Sequence, residues 1–176
     1  MLSMFHEAGF PFESVDAAWR GSEHLYPLLG SLTASFPDAR AFQTCAEWLR
    51  LCAAHIEGSE PAAALFARAC SEVPRQSHIV ASGLGDLRNE CILARRPAAA
   101  AFADSASHLC EAWAAVSTGE VDDETEPWAR AKAAAKAMVT AWLYQQGLEE
   151  EDKEARTRAR VELTRLLRTA REEVSK

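Results

Sequence analysis

Three residues of the stretch PAAAAFADSASHLCEAWAAVS (97–117) have types and spacing that could do chemistry. Asp104, His108 and Glu111 stand at i, i+4 and i+7, so a helix would carry all three on one face. A histidine flanked by carboxylates holds its proton more tightly, which could poise an acid and a base or start a metal site. No ExxH pair of the di-iron kind accompanies them elsewhere in the chain. We read the trio as a solvated polar strip, with an enzyme built on Asp104, His108 and Glu111 as an alternative.

Thiols and imidazoles form a second group. Cys52 and His55 lie one helical turn apart and Cys45 two turns earlier, while Cys70, Cys91 and Cys110 belong to other segments. A bundle lined with such groups could hold Cu(I) or Zn, soft metals that favour thiolate. The number of cysteines is odd, there is no CxxC, and each sits among apolar neighbours. Reduced thiols filling a core account for this pattern, and a metal-binding bundle using Cys45, Cys52 and His55 stands as the alternative. No cofactor is expected.

Signatures of nucleophilic or phosphate chemistry are missing from the sequence. There is no GxSxG, and Gly83-Leu84-Gly85 lacks the lysine, the third glycine and the preceding strand of a phosphate loop. The third group is basic. Between 149 and 176 a narrow stripe of Ala155, Ala159, Leu163, Leu166, Leu167, Ala170 and Val174 is surrounded by Arg156, Arg158, Arg160, Arg165, Arg168 and Arg171. Such a helix either docks on its own domain by the stripe, helped by pairs such as Glu154 with Arg158 and Arg168 with Glu172, or recruits a second chain. Arg156, Arg160, Leu163, Leu167, Arg168 and Arg171 are the partner-binding candidates.

The elements that must position these groups are helices. In 97–117 the large residues Phe102, Leu109, Trp113 and Val116 fall at steps of seven, four and three, and Asp104 and Glu111 are the only charges. This predicts a buried central helix. Residues 1–12 read as an irregular arm tacked down by Phe5, Phe10 and Phe12. Residues 14–36 predict either a helix kinked at Gly21 and Pro27 or two helices, the second capped by Ser22. Pro37-Asp38 opens a helix with the stripe Phe42, Cys45, Leu49, Cys52, Ile56, ending at Gly58. Ser59 and Pro61 start the next, which runs to Val73 before Pro74. Gly83 and Gly85 divide 76–96 into a short turn at 78–82 and a helix over 86–95 with Leu87, Cys91 and Ile92 inward. Gly119 stops the central helix before the acidic loop Glu120–Glu126. Thr125 caps a helix begun by Pro127 and ending before Gly147, with the stripe Trp128, Ala131, Ala135, Met138, Trp142. Glu149–Lys176 is the long final helix, its acidic first turn suited to the positive end of the helix dipole.

EPAAALFARAC from Glu60 and RPAAAAFADSA from Arg96 align 36 residues apart. Ala62, Phe66, Ala69 and Pro74 have the spacing of the second helix of a tetratricopeptide repeat, which this stretch locally resembles. The preceding helix lacks the Trp, Leu-Gly and Tyr positions of that repeat, and no third copy follows.

Hydrophobic residues make up 48% of the chain and charged ones 26%, a globular balance rich in helix formers with no strand-length alternation. The expected fold is all-α: one domain over 1–176, a bundle of roughly six to eight helices built from antiparallel hairpins, which would also admit tetratricopeptide-like packing. A net charge of −7 argues against a surface that grips nucleic acid, except through the arginine-rich final helix. No run approaches the roughly 18 apolar residues of a membrane span. The N-terminal stretch MLSMFHEAGFPF has no secretory pattern, so the cytoplasm is the expected location. The functional expectation is a non-catalytic protein–protein interaction module, a small adaptor, regulatory subunit or inhibitor, whose partner is another protein or a second copy of the chain.

Overall fold

The computed structural model describes residues 2–7, 12–69 and 74–176, giving the backbone alone at 4, 5, 7 and 74–76. Among these residues every regular element is a helix. A six-residue α1 (Leu2–Glu7) precedes eight others: α2 (Val15–Gly21), α3 (Leu25–Thr33), α4 (Ala39–Ala53), α5 (Glu60–Arg68), α6 (Pro74–Leu93), α7 (Pro97–Thr118), α8 (Pro127–Gln145) and α9 (Lys153–Val174). The buried residues from Ala18 to Ala170 form one continuous apolar core.

The central helix is where the 3.6-residue pattern places it. Along α7 fourteen residues are buried, among them Phe102, Leu109 and Trp113, and its most extensive packing is against its chain neighbours α6 and α8. Alanine and serine allow that closeness from two sides. Ser105 donates to the Ala134 carbonyl of α8 at 2.9 Å, and the Cys110 thiol reaches the Ser77 carbonyl of α6 at 3.5 Å. Gly119 ends α7 at φ 74°, in the left-handed region where a Cβ is unfavourable. A second pair, α4 and α9, packs beside these three helices. α3 joins it to α8, and α5 joins it to α6 and α7. Where α4, α5 and α7 meet, Phe42 stacks on Phe66 at 4.5 Å and lies 4.5 Å from Trp113, whose ring also meets Phe36 edge-on at 5.2 Å.

Several sequence expectations are corrected. Residues 2–7 are helical rather than irregular; Phe12 is half-buried against the core, the side chain of Phe5 is not described, and Phe10 lies outside the described residues. The first long segment is two helices, separated at Ser22–His24. Ser22 does not cap α3, whose N-cap is His24; its hydroxyl accepts from the His24 N–H at 3.0 Å. Ser59 holds the N-cap position of α5, but its hydroxyl turns back to the Ile56 carbonyl at 2.6 Å. α5 ends at Arg68 with Ala69 as C-cap, and the predicted end at Val73 lies outside the described residues, as does Cys70.

The glycines do not divide 76–96, because α6 runs unbroken through both. At Gly83 a Cβ would come within 3.1 Å of Leu65 Cδ2, so the missing side chain lets α5 approach. The predicted inward face is also displaced. Val80 and Leu84 are buried, Leu87 and Cys91 half-buried, and Ile92 is 51% exposed. Pro61 and Pro97 both stand in a first helical turn, yet α5 has nine residues and α7 twenty-two. The two copies of the internal echo share their way of starting a helix and differ in helix length.

Candidate functional site

The structure sorts the three chemical groups differently. Asp104, His108 and Glu111 do share one face of α7, and that face stays partly exposed. It is flanked by two arginines from the neighbouring helices. Arg88 Nε of α6 lies 3.3 Å from Asp104 Oδ1, and Arg130 Nη1 of α8 lies 2.6 Å from Glu111 Oε2 and 2.9 Å from His108 Nδ1. The other ring nitrogen, Nε2, lies 3.8 Å from Asp104 Oδ2, and Nδ1 is also 3.9 Å from Glu111 Oε2. The neighbouring His108, with Arg130 and Ser107, holds the Glu111 carboxyl below the usual range despite its partial burial. In this arrangement the trio joins α6, α7 and α8. Neither Arg88 nor Arg130 had a local signal, since each meets α7 only through the packing of helices.

Cys45 and Cys52 are buried, and burial raises both thiols well above the ordinary cysteine range. His55 is exposed and lies against Trp142, ring centroids 5.4 Å apart. The structure therefore does not bring Cys45, Cys52 and His55 together as ligands. Among the described residues no three His, Cys, Asp or Glu side chains converge on a metal-sized site. Cys110 is likewise buried, its thiol pushed up to about 12 by burial and the adjacent Glu111. Cys91 is half-exposed, in a small cleft of about 240 Å³ beside Arg96 and Glu90.

On the last helix, Leu163 and Leu167 are fully buried against the body of the chain. They are core residues and leave the set of partner-contact candidates. The helix itself starts at Lys153: Glu149–Asp152 form a turn, and Asp152 caps α9 by accepting from the Ala155 N–H at 2.9 Å. Arg168 donates to the Ser22 carbonyl instead of pairing with Glu172, and Arg171 lies over the Trp19 ring at 4.5 Å and beside Asp16 at 3.3 Å. Both are occupied within the chain. Arg158 pairs with Glu154 as expected, at 2.6 Å, and Arg165 with Glu162 at 3.0 Å.

Arg156 and Arg160 remain, and they line a cleft of about 670 Å³. Its opposite wall is α8, which supplies Lys132 and Lys136; the first turn of α3 closes it with Leu25 and Tyr26. The floor is apolar, with Val139 and Leu143 buried beside Leu25. Among the described residues none of these four cations is in an ion pair. At the turn between α8 and α9, Glu150 and Glu151 form the one acidic end; Tyr144 donates its hydroxyl proton to Glu150. Lys132 and Lys136 escaped the sequence reading. Their i, i+4 spacing puts them on one face of α8, but nothing local shows that α9 sets a second basic pair across from it. The same wall places Thr125 differently from expectation: its hydroxyl bonds Asp122 at 2.8 Å within the acidic loop, while Glu126 caps α8 by accepting from the Ala129 N–H at 2.7 Å.

No known protein family, no curated protein and no solved structure matches this chain. No described helix is long and apolar enough to cross a membrane.

Proposed function

We propose that this protein is a non-catalytic interaction module that holds an acidic segment of a partner protein in the cleft between α3, α8 and α9. One observation carries this. In a chain of net charge −7, the four cations Lys132, Lys136, Arg156 and Arg160 surround an apolar floor and, among the described residues, have no carboxylate of their own. Concentrated unpaired charge of one sign costs folding free energy through self-repulsion and favours an oppositely charged partner. Arg158, Arg165 and Arg171 show the contrast, because each is paired with a carboxylate within the chain.

Reversing all four charges (K132E/K136E/R156E/R160E) tests this. Copurifying chains from the source cells are quantified by mass spectrometry for wild type and variant, with circular dichroism and melting temperature as fold controls. A defined chain at fixed stoichiometry, present with wild type and lost with a folded variant, is expected. Copurification that ignores the reversal, or a wild type that retains nothing, counts against the proposal.

A further inference from the structure

Resting on that assignment of the cleft, we infer the chemistry of its occupant: a short peptide segment with an apolar side chain at its centre and carboxylates on both flanks. The distribution of charge carries the inference. Lys132 and Lys136 on α8, and Arg156 and Arg160 on α9, are i, i+4 pairs on separate walls, each pair spanning roughly 6 Å along its helix. Charge therefore lies along both rims, and the strip between them is Leu25, Val139 and Leu143.

A nucleic-acid backbone fits poorly. It is a continuous polyanion that needs a basic track along its whole length, and here Glu150 and Glu151 close one end of the cleft. A small inorganic anion would leave the apolar floor uncovered. A peptide with an apolar anchor covers the floor and meets both rims, and the two glutamates favour its amino end or a basic residue at their side. About 670 Å³ is within the range of roughly 300–1,000 Å³ that encloses compact ligands. It suits a few side chains rather than the face of a domain.

The test is panning of the full-length protein against a randomised twelve-residue peptide library, with counter-selection on Lys136→Glu/Arg160→Glu. Both substituted side chains are exposed, so the variant keeps its fold, and Lys136→Arg serves as the conservative control. Enriched peptides should carry Asp or Glu on both sides of Leu, Ile, Phe or Trp. Their affinity, read by fluorescence anisotropy, should fall roughly tenfold or more on either charge reversal, on replacing the apolar anchor by Ser, and on raising salt, with Lys136→Arg close to wild type. Peptides enriched without acids, no enrichment over the variant, or stronger binding of a twelve-nucleotide oligo-dT would overturn the inference. So would a concentration-dependent dimer abolished by the same reversals, which would give the cleft to a second copy. If partner capture depends on the four cations but no acidic–apolar consensus emerges, this inference fails while the interaction role stands; capture indifferent to the reversal removes the role itself.

Discussion

The indole Nε1 of Trp48 donates to the backbone carbonyl of Leu163 at 3.1 Å, joining the middle of α4 to the middle of α9 across 115 residues of sequence. Trp48 and Leu163 are both fully buried. An indole N–H without a partner in such a place costs about 1–3 kcal/mol, and α9 supplies that partner together with the apolar stripe that covers α4.

Deleting residues 149–176 should therefore not leave a folded body. Ala155, Ala159, Leu163, Leu166, Leu167 and Ala170 are all buried, and their loss exposes the matching face of α4. We expect the truncated chain to be aggregated or without a cooperative melting transition. A soluble fragment with a cooperative transition would show that α9 is an appendage. The milder Trp48→Phe change should cost about 1–3 kcal/mol through the lost hydrogen bond and volume, a decrease of a few degrees in melting temperature for a chain of this size.

Gly30 of α3 lies under the Trp128 ring of α8, where an added Cβ would stand 2.1 Å from two ring carbons. Alanine normally improves a helix interior by about 1 kcal/mol over glycine. Here the steric clash should win, and Gly30→Ala should destabilise by about 1–3 kcal/mol because the ring must leave its place beside Tyr26. The double change Gly30→Ala/Trp128→Ala checks the cause in chemical denaturation. If the ring is the obstacle, alanine at 30 costs far less in the Trp128→Ala background.

Glu111 gives the protein an acid-sensitive contribution. Its carboxyl is held low by His108, Arg130 and Ser107, so on acidification the unfolded chain takes up that proton first, near the ordinary glutamate value of about 4.3. The stabilisation is complete above that value and is lost as pH falls through the lower folded value. Melting temperature measured between pH 2.5 and 7 should fall less steeply for Glu111→Gln than for wild type in the acid range. Parallel curves would mean that His108, Arg130 and Ser107 together do not favour the charged form.

The thiols should divide by burial. In native protein, iodoacetamide should modify Cys91 while Cys45, Cys52 and Cys110 stay unmodified until denaturant is added, because their raised thiols supply almost no thiolate at neutral pH. Peptide mapping reads the outcome site by site. Native labelling of Cys45 and Cys52 at the rate of Cys91 would contradict their burial.

What the sequence by itself determined is local. The alternation of large and small residues in 97–117 was enough to identify a buried helix, and Asp38, Pro61, Pro97, Gly119 and Pro127 marked helix ends because capping and proline geometry act within a few residues. The unbroken course of α6 was not legible. Gly83 reads as a breaker until Leu65 of another helix is seen against it. The chemical groups depended on distance in space. Asp104, His108 and Glu111 were visible as one face, but only packing brought Arg88 and Arg130 to flank it and engage the histidine. The stripe of α9 was equally legible as a partner surface and as core, since burial of an apolar face has the same pattern whichever chain covers it. Tertiary structure decided for core, and by setting Arg156 and Arg160 opposite Lys132 and Lys136 it made a cleft from residues 24 positions apart, measured from Lys132 to Arg156. That pairing has no sequence period to reveal it.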